Sequence, residues 1–429
     1  MNWVIAIIAL NFIILIHELG HFLVAKRSGI GVNEFSLFLG PKIYSVKKGE
    51  TVFSIRSIPV GAYVALEGEE DSSQNERAFN NKPMHVRAAV IIAGPLVNLV
   101  AAVILFTVVF SIVGFDTTKV KSVVEKSPAF IAGIQPGDQI VKYDQKNVFN
   151  PMDVFTFISI SKGKTAEIIV KRNKDIKKVL ITPQIIPSDR YILGFISQTE
   201  YGEDSNLVKN VVEGSPAKKG GIQAGDRIIQ VNDQIVTSKE TITRYLSVNK
   251  NKPVKVKIQR NNSVIDLTIT PKLEKGPEQY FLGISFKSEH GNLITNLKES
   301  LRATGSNIIS VVRTFIWLIT GKINIKYLMG PVGIASAISD VVGNGPSLKF
   351  IIINLLTICA NISAVLGASN LIPFPALDGA RLLVLSLGMI KGKELISAEK
   401  ENMISVIGLF IIVSLGIYTI INDLFRINR

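Results

Sequence analysis

The sequence predicts a multi-span α-helical membrane protein with four transmembrane helices, a membrane-associated β-hairpin and two small α+β modules outside the cytoplasm. Three observations carry this. The 429 residues are 47% hydrophobic with a mean hydropathy of +0.33, which is high for a soluble enzyme. Four stretches meet the criterion of about 18 or more apolar residues with few or no charges. Between the second and the third, the chain repeats itself.

The four stretches are residues 3–25, 88–115, 350–376 and 402–422; Glu18 is the only formal charge in the first, and the others carry none. The first lacks a basic leader and a small-x-small cleavage site, so it is expected to be a retained span rather than a signal peptide. Lys and Arg near span ends favour the cytoplasm. The first link holds Lys26, Arg27, Lys42, Lys47, Lys48, Arg56, Arg77, Lys82 and Arg87, and the last holds Arg381, Lys391, Lys393 and Lys400. Both links are therefore expected inside, with the termini and residues 116–349 outside. The net charge of +14 then belongs to inner-face loops and solvated surfaces, and nucleic acid is not an expected partner. The single cysteine, Cys359, lies in the third span, so no internal disulfide can form.

In the first link, "KIYSVKKGETVFSIRSIPVGAYV" alternates polar and apolar residues around Lys48-Gly49-Glu50. It reads as a hairpin with strands near 42–46 and 51–55, and its apolar lead-in suits a hairpin dipping into the membrane. In the second span, "GPLVN" ends at Asn98. Gly94-Pro95 permits close packing or a kink, and Asn98 either binds helices together or supports a site.

"SPAFIAGIQPGDQIVKYDQKNV" from Ser127 matches "SPAKKGGIQAGDRIIQVNDQIV" from Ser215, an offset of 88 residues. Two copies of one α+β module follow, assigned in chain order to residues 116–202 and 203–288. The modules resemble PDZ domains of the bacterial kind. That resemblance makes Leu193-Gly194-Phe195 and Leu282-Gly283-Ile284 the loops whose amides would meet a peptide carboxylate, with strand addition beside them. A spacer or size filter that binds no peptide is the alternative. Residues 289–345 form a linker in which 292–321 reads as an amphipathic helix on the outer membrane surface, or one docked on a domain. The membrane core then comprises residues 1–115 and 346–429.

The chemistry sits in "NFIILIHELGHFLVAK". In H-E-x-x-H the histidines fall at i and i+4, so on a helix His17 and His21 share one face and can hold zinc, with Glu18 beside them. Ionisable groups inside lipid are costly and usually functional. The other two histidines, His85 and His290, lie outside the spans. A catalytic zinc usually takes three protein ligands plus water. The best third candidate is Asp378 in "NLIPFPALDGARLL", which follows 27 uncharged residues; a helix-start role is its alternative. Pro373 and Pro375 remove amide donors, so the chain there should be unwound. With the N-terminus outside, His17 lies roughly 21 Å along the helix from Trp3 at about 1.5 Å per residue, toward the inner side, where Asp378 also arrives.

HELGH, GPLVN, the tandem modules, "GPVGIA" from Gly330 and "NLIPFPALDG" together resemble the bacterial site-2 proteases of the RseP/RasP type, and the likeness covers nearly the whole chain. The resemblance implies an intramembrane zinc metalloprotease of the inner membrane, with its PDZ-like domains outside the cytoplasm. Its partners would be the lipid bilayer and pre-trimmed membrane-protein substrates such as anti-sigma factors and signal-peptide remnants. Residue by residue, it implies zinc on His17, His21 and Asp378, Glu18 as general base, and substrate held by Asn370, the Pro373-Pro375 segment and the edge of the 42–55 hairpin. Two departures stand out: "FLGP" lacks a glycine that many members have, and Ala380-Arg381 replaces a common Gly-His. An intramembrane metal-ion or proton transporter and an inactive PDZ scaffold are the alternatives. Neither explains both the HELGH motif and the tandem modules.

Overall fold

The computed structural model describes residues 2–69, 73–186, 189–200, 203–275, 278–345, 347–393, 395–396 and 398–427. The chain folds into two compact units, one built mainly from residues up to Thr117, Ser288–Gly343 and those from Ile351 onward, the other mainly from Thr118–Lys287.

The first unit is helical. It contains α1 (Asn2–Arg27), α2 (Met84–Val113), α3 (Leu293–Ile319), α4 (Pro331–Asn344), α5 (Leu348–Asn370), α6 (Asp378–Lys391) and α7 (Ala398–Ile427). Among the described residues, five segments are long and apolar enough to cross a membrane: Asn2–Arg27, Met84–Val113, Ile325–Gly343, Leu348–Asn370 and Met403–Phe425. Four overlie the expected spans. The fifth falls among the residues expected as a linker. There Pro331 opens α4, a position where its missing amide has no helical partner to lose. At 14 residues, α4 alone is shorter than the ~20 that span a bilayer.

Along α1, Val4, Ile8, Phe12, Leu19 and Leu23 are exposed, whereas Ala6, Ile13, His17, Gly20 and His21 are buried. The two sets follow the helical period, an apolar outer face and a packed inner one. Close approach to α2 depends on Gly20, where a Cβ would lie 2.6 Å from the Ala93 carbonyl oxygen. The chain between α5 and α6 is non-helical, as the prolines require. Its amides turn locally, Phe374 to the Ile372 carbonyl at 2.7 Å and Leu377 to that of Phe374 at 3.0 Å.

The hairpin is larger than the sequence predicts. Strands β1 (Val32–Lys48) and β2 (Thr51–Leu66) bend at Phe38, Gly40 and Gly61, all with positive φ, so that each strand pairs twice. The tip pairs as expected, with Tyr44 opposite Ile55 and Val46 opposite Phe53, while Phe35 meets Phe53 on one side and Val64 on the other. Residues 62–66 thus form an outer arm. Ile43, Tyr44, Val46, Ile58 and Val60 are exposed, an apolar surface suited to lipid. At the turn, Glu50 forms ion pairs with Lys26 and with Arg77.

Helix α3 is amphipathic, with a twist. Its buried residues include Asn296, Ser300, Thr304 and Ser306, and Asn296 Nδ2 donates to Ser111 Oγ of α2 at 3.0 Å. Leu293, Ile294, Leu297, Leu301, Val312 and Ile316 stay exposed.

The second unit corrects the domain boundaries. One sheet runs in the order Ile284–Glu289, Phe115–Val123, Gln139–Tyr143, Ala166–Arg172, Asp175–Ile181; the other runs Phe195–Glu200, Glu203–Val211, Arg227–Val231, Val254–Arg260, Ser263–Ile269. Each module takes its edge strand from the part of the chain assigned to its neighbour. The second module is therefore inserted into the first. Two short ribbons lead in and out, Gln184–Ile186 with Gln279–Phe281 and Arg190–Ile192 with Lys272–Glu274. The expected 202/203 boundary abuts residues 201–202, which lie outside the described set. The offset of 88 fixes a repeat length and says nothing about which copy a strand pairs with.

The repeated Gly-Asp has one job in both copies. Asp138 accepts from Arg172 at 2.6 and 2.8 Å and from the Gln135 amide at 2.9 Å. Asp226 accepts from Arg260 at 2.6 and 2.7 Å and from the Gln223 amide at 2.8 Å. Both carboxylates are 1% exposed, so their pairing with two donors each is what makes the burial tolerable.

Candidate metal centre

His17 and His21 project from α1 one turn apart, and Asp378 opens α6 after the non-helical 371–377 segment. Their atoms converge. His17 Nε2 lies 3.2 Å from His21 Nε2 and 3.2 Å from Asp378 Oδ2, and His21 Nε2 lies 3.5 Å from Asp378 Oδ2. Tetrahedral zinc with bonds of about 2.0–2.1 Å sets its ligands roughly 3.3 Å apart, so the triangle has the dimensions of three zinc ligands. Among the described residues, these form the group of His, Cys, Asp and Glu side chains able to hold a metal. Asp378 Oδ2 is also a buried oxygen with no hydrogen-bond partner among the described residues, the mark of an acceptor aimed at a cation.

The surroundings fix the rings. His21 Nδ1 lies 2.8 Å from the Val90 carbonyl oxygen, which can only accept, so Nδ1 carries the proton and Nε2 is bare toward the triangle. For His17 the same role falls to Asn98, whose amide is 3.3 Å from Nδ1. A bare Nε2 on His17 needs an Nδ1–H and hence an acceptor. The atom placed there is Nδ2; turning the Asn98 amide over brings Oδ1, which as placed is buried with no partner among the described residues, against the Nδ1–H as its acceptor. Ser363 anchors the same residue by donating to the Asn98 carbonyl at 2.8 Å. A Cβ on Gly94 would collide with the His21 ring, so α2 must carry glycine there.

Glu18 Oε2 accepts from the Val64 amide at 3.1 Å. Val64 sits on the outer arm of β2, so this strand, rather than the 42–55 tip, lies nearest the site. A cavity of about 420 Å³ is lined by His17, Glu18, His21, Val64, Asn370 and Asp378 among others. An adjoining groove of about 730 Å³ runs between residues 63–66 and Ser405, Val406 and Leu409 of α7. Asn370 Nδ2 is 3.4 Å from His17 Nε2, while Pro373 is exposed and neither it nor Pro375 lines the cavity. The prolines shape the turn, and Ala376 with φ +73° occupies the wall.

Sequence reasoning missed Arg381, which also lines the cavity. It donates to Glu69 after β2 at 2.5 Å and to Glu401 of α7 at 2.9 Å. Its departure from the usual histidine was the available signal.

In the modules, both proposed peptide loops lie in the copy opposite to that expected. The Leu193 and Gly194 carbonyls accept from Ala217 and Val212 of the second module, and those of Leu282 and Gly283 accept from Ala129 and Val124 of the first. Leu193 and Phe195 are buried in the second module's core, while Ile284 starts the first module's edge strand.

The model for peptidase family M50 matches residues 5–415. The chain is 30% identical to the zinc metalloprotease RasP of Bacillus licheniformis, covering 100% of both chains. It is 30% identical to the regulator of sigma E protease of Salmonella typhi, covering 98% of each. A solved HtrA3 PDZ domain with a phage-derived ligand matches 21% of this chain and 93% of its own, at 23% identity and a TM-score of 0.18. With a family match across nearly its whole length, the chain belongs to peptidase family M50 and is a zinc metalloprotease of the intramembrane site-2 type.

Proposed function

We propose that His17, His21 and Asp378 hold the zinc and that Glu18 is the general base. The observation that carries this is the ligand triangle of 3.2, 3.2 and 3.5 Å with Glu18 one residue away on the same helix. Zinc, when bound, supplies Lewis-acid polarisation of the scissile carbonyl and brings the pKa of water down to about 7. Glu18 takes the proton of the attacking water and delivers it to the leaving amine. Asn98 and Val90 hold the two imidazoles in the ligating tautomer. Asn370 offers its amide to the substrate backbone, and the 371–377 turn presents Asp378.

A substrate helix hides its carbonyls, so it must unwind before cleavage, and bare backbone groups in lipid are costly. The outer arm of β2 offers an edge with which an extended substrate can pair, beside the groove that ends at the cavity. The substrates are membrane proteins; anti-sigma factors and signal-peptide remnants fit this reading. The chain sits in the bacterial inner membrane with the PDZ-like modules outside the cytoplasm, where they restrict entry to substrates already trimmed.

The test is cleavage of a transmembrane reporter peptide in detergent by the wild type and Glu18→Gln, with bound zinc measured in both. The variant should keep one zinc and lose cleavage by roughly 10²–10⁴-fold, the usual weight of a general acid–base group. Full activity in the variant would overturn the assignment.

A further inference from the structure

An amide in a lipid-facing helix is expensive unless its groups are paired. Asn11 is such an amide, 7% exposed on α1, and it lies outside the metal cavity. Its side chain grips β2 from two sides. Nδ2 donates to the Pro59 carbonyl at 3.0 Å and to Ile7 of its own helix at 2.7 Å, and Oδ1 accepts from the Gly61 amide at 2.8 Å. Gly61 has φ +83°, a conformation few other residues adopt.

We propose that Asn11 is a positioning residue that sets the register of the β2 edge against Glu18, and thereby selects which substrate peptide bond is cut. This rests on the protease reading above. Two strand amides are held by side chains of α1: that of Gly61 by Asn11 and that of Val64 by Glu18. From Asn11 to Glu18 is two helical turns, roughly 10.5 Å at about 1.5 Å per residue. From Gly61 to Val64 is three strand residues, roughly 10 Å at about 3.3 Å each. The two spacings match, so both contacts form in one alignment. A slip by one residue carries the Val64 amide about 3.3 Å along and turns every side chain of the arm to the other face. A substrate strand paired with that edge would move with it, and a neighbouring bond would reach the metal.

Asn11→Leu keeps the side-chain size and removes both strand contacts; Asn11→Gln keeps an amide on a longer arm. Product ends from the transmembrane reporter are mapped by mass spectrometry, alongside bound zinc. The wild type should cut mainly at one bond. Asn11→Leu should hold zinc equally and raise the share of products ending one or two residues away by roughly tenfold, the weight of one or two hydrogen bonds, and Asn11→Gln should restore the main bond in part. A zinc-loaded Asn11→Leu with unmoved product ends, however slow, overturns the proposal. Should that variant not hold zinc, Asn11→Ser takes its place with the same two outcomes. An inactive wild type would overturn the protease reading and this inference with it, whereas an active wild type with unmoved ends in the variant overturns this inference alone.

Discussion

The Val64 amide donates to Glu18 Oε2 at 3.1 Å, so the carboxylate assigned as base is aimed by a strand rather than by a side chain of its own helix. That strand is also the edge available to substrate. Val64→Pro deletes the donor, and proline is tolerated on edge strands. The expected result is a fall in kcat of about tenfold or more with zinc content unchanged, since one charge-assisted hydrogen bond is worth about 1.5–3 kcal/mol. Steady-state cleavage with metal analysis checks it.

Gly94 faces the His21 ring with no room for a methyl group. Gly94→Ala must therefore push α2 away or turn the imidazole off the triangle, and interiors yield little to such overpacking. Bound zinc should fall well below one per chain, and activity with it. Retention of full zinc by the purified variant would show that the α1–α2 approach is looser than its geometry.

Chelation separates the metal from the fold. Removing zinc should abolish cleavage, and adding it back should restore activity, because α1 and α2 pack through Gly20 and Ala93 without the ion. Circular dichroism across the cycle should stay constant. Asp378→Ala should show the same loss without rescue, as two histidines alone leave the site a ligand short.

Much of this site was legible in the sequence because helical spacing is local. His17, Glu18 and His21 declare themselves by i, i+4 geometry, and Asp378 by standing at the end of an uncharged run. The hairpin tip was legible from alternation. Its outer arm was not, since the bends at Phe38, Gly40 and Gly61 decide that Phe35 pairs twice. Nor was the module insertion, because edge strands of two similar copies carry no label for their partner. Nothing in the sequence sets Asn11 apart; the strand laid beside it gives the amide its partners.

The paired carboxylate of the first module makes a pH prediction. Burial pushes the Asp138 carboxyl up, but hydrogen bonds from Arg172 and the Gln135 amide outweigh it and hold it below its ordinary 3.8. The unfolded chain then binds more protons than the folded one as pH falls through this range, so stability falls with it. The contribution is fully present above the ordinary carboxylate value and is lost as pH falls through the lowered value of the folded state. Asp138→Asn removes the charge that accepts from Arg172 and the Gln135 amide and should destabilise the module at neutral pH. Denaturant unfolding of wild type and variant at pH 7 and pH 3 checks both signs: the gap between them should narrow in acid.

The insertion of one module into the other determines which fragments can fold. A fragment of residues 116–202 lacks the edge strand Ile284–Glu289 and carries Phe195–Glu200 with no sheet to join, since that strand pairs with Glu203–Val211. It also strands Leu193 and Phe195, which belong to the second module's core. It should be poorly folded, with unprotected amides and exposed apolar surface. A fragment of residues 190–275 keeps all five main strands of the second sheet and the ribbon pairing Tyr191 with Leu273, and it should unfold cooperatively. Replacing residues 190–275 of the 115–289 region by a short glycine-rich link should leave the first module intact, because Gln184–Ile186 and Gln279–Phe281 already lie side by side. Thermal unfolding and amide exchange of the three fragments decide the matter: a stably folded 116–202 fragment would mean that the modules follow chain order after all.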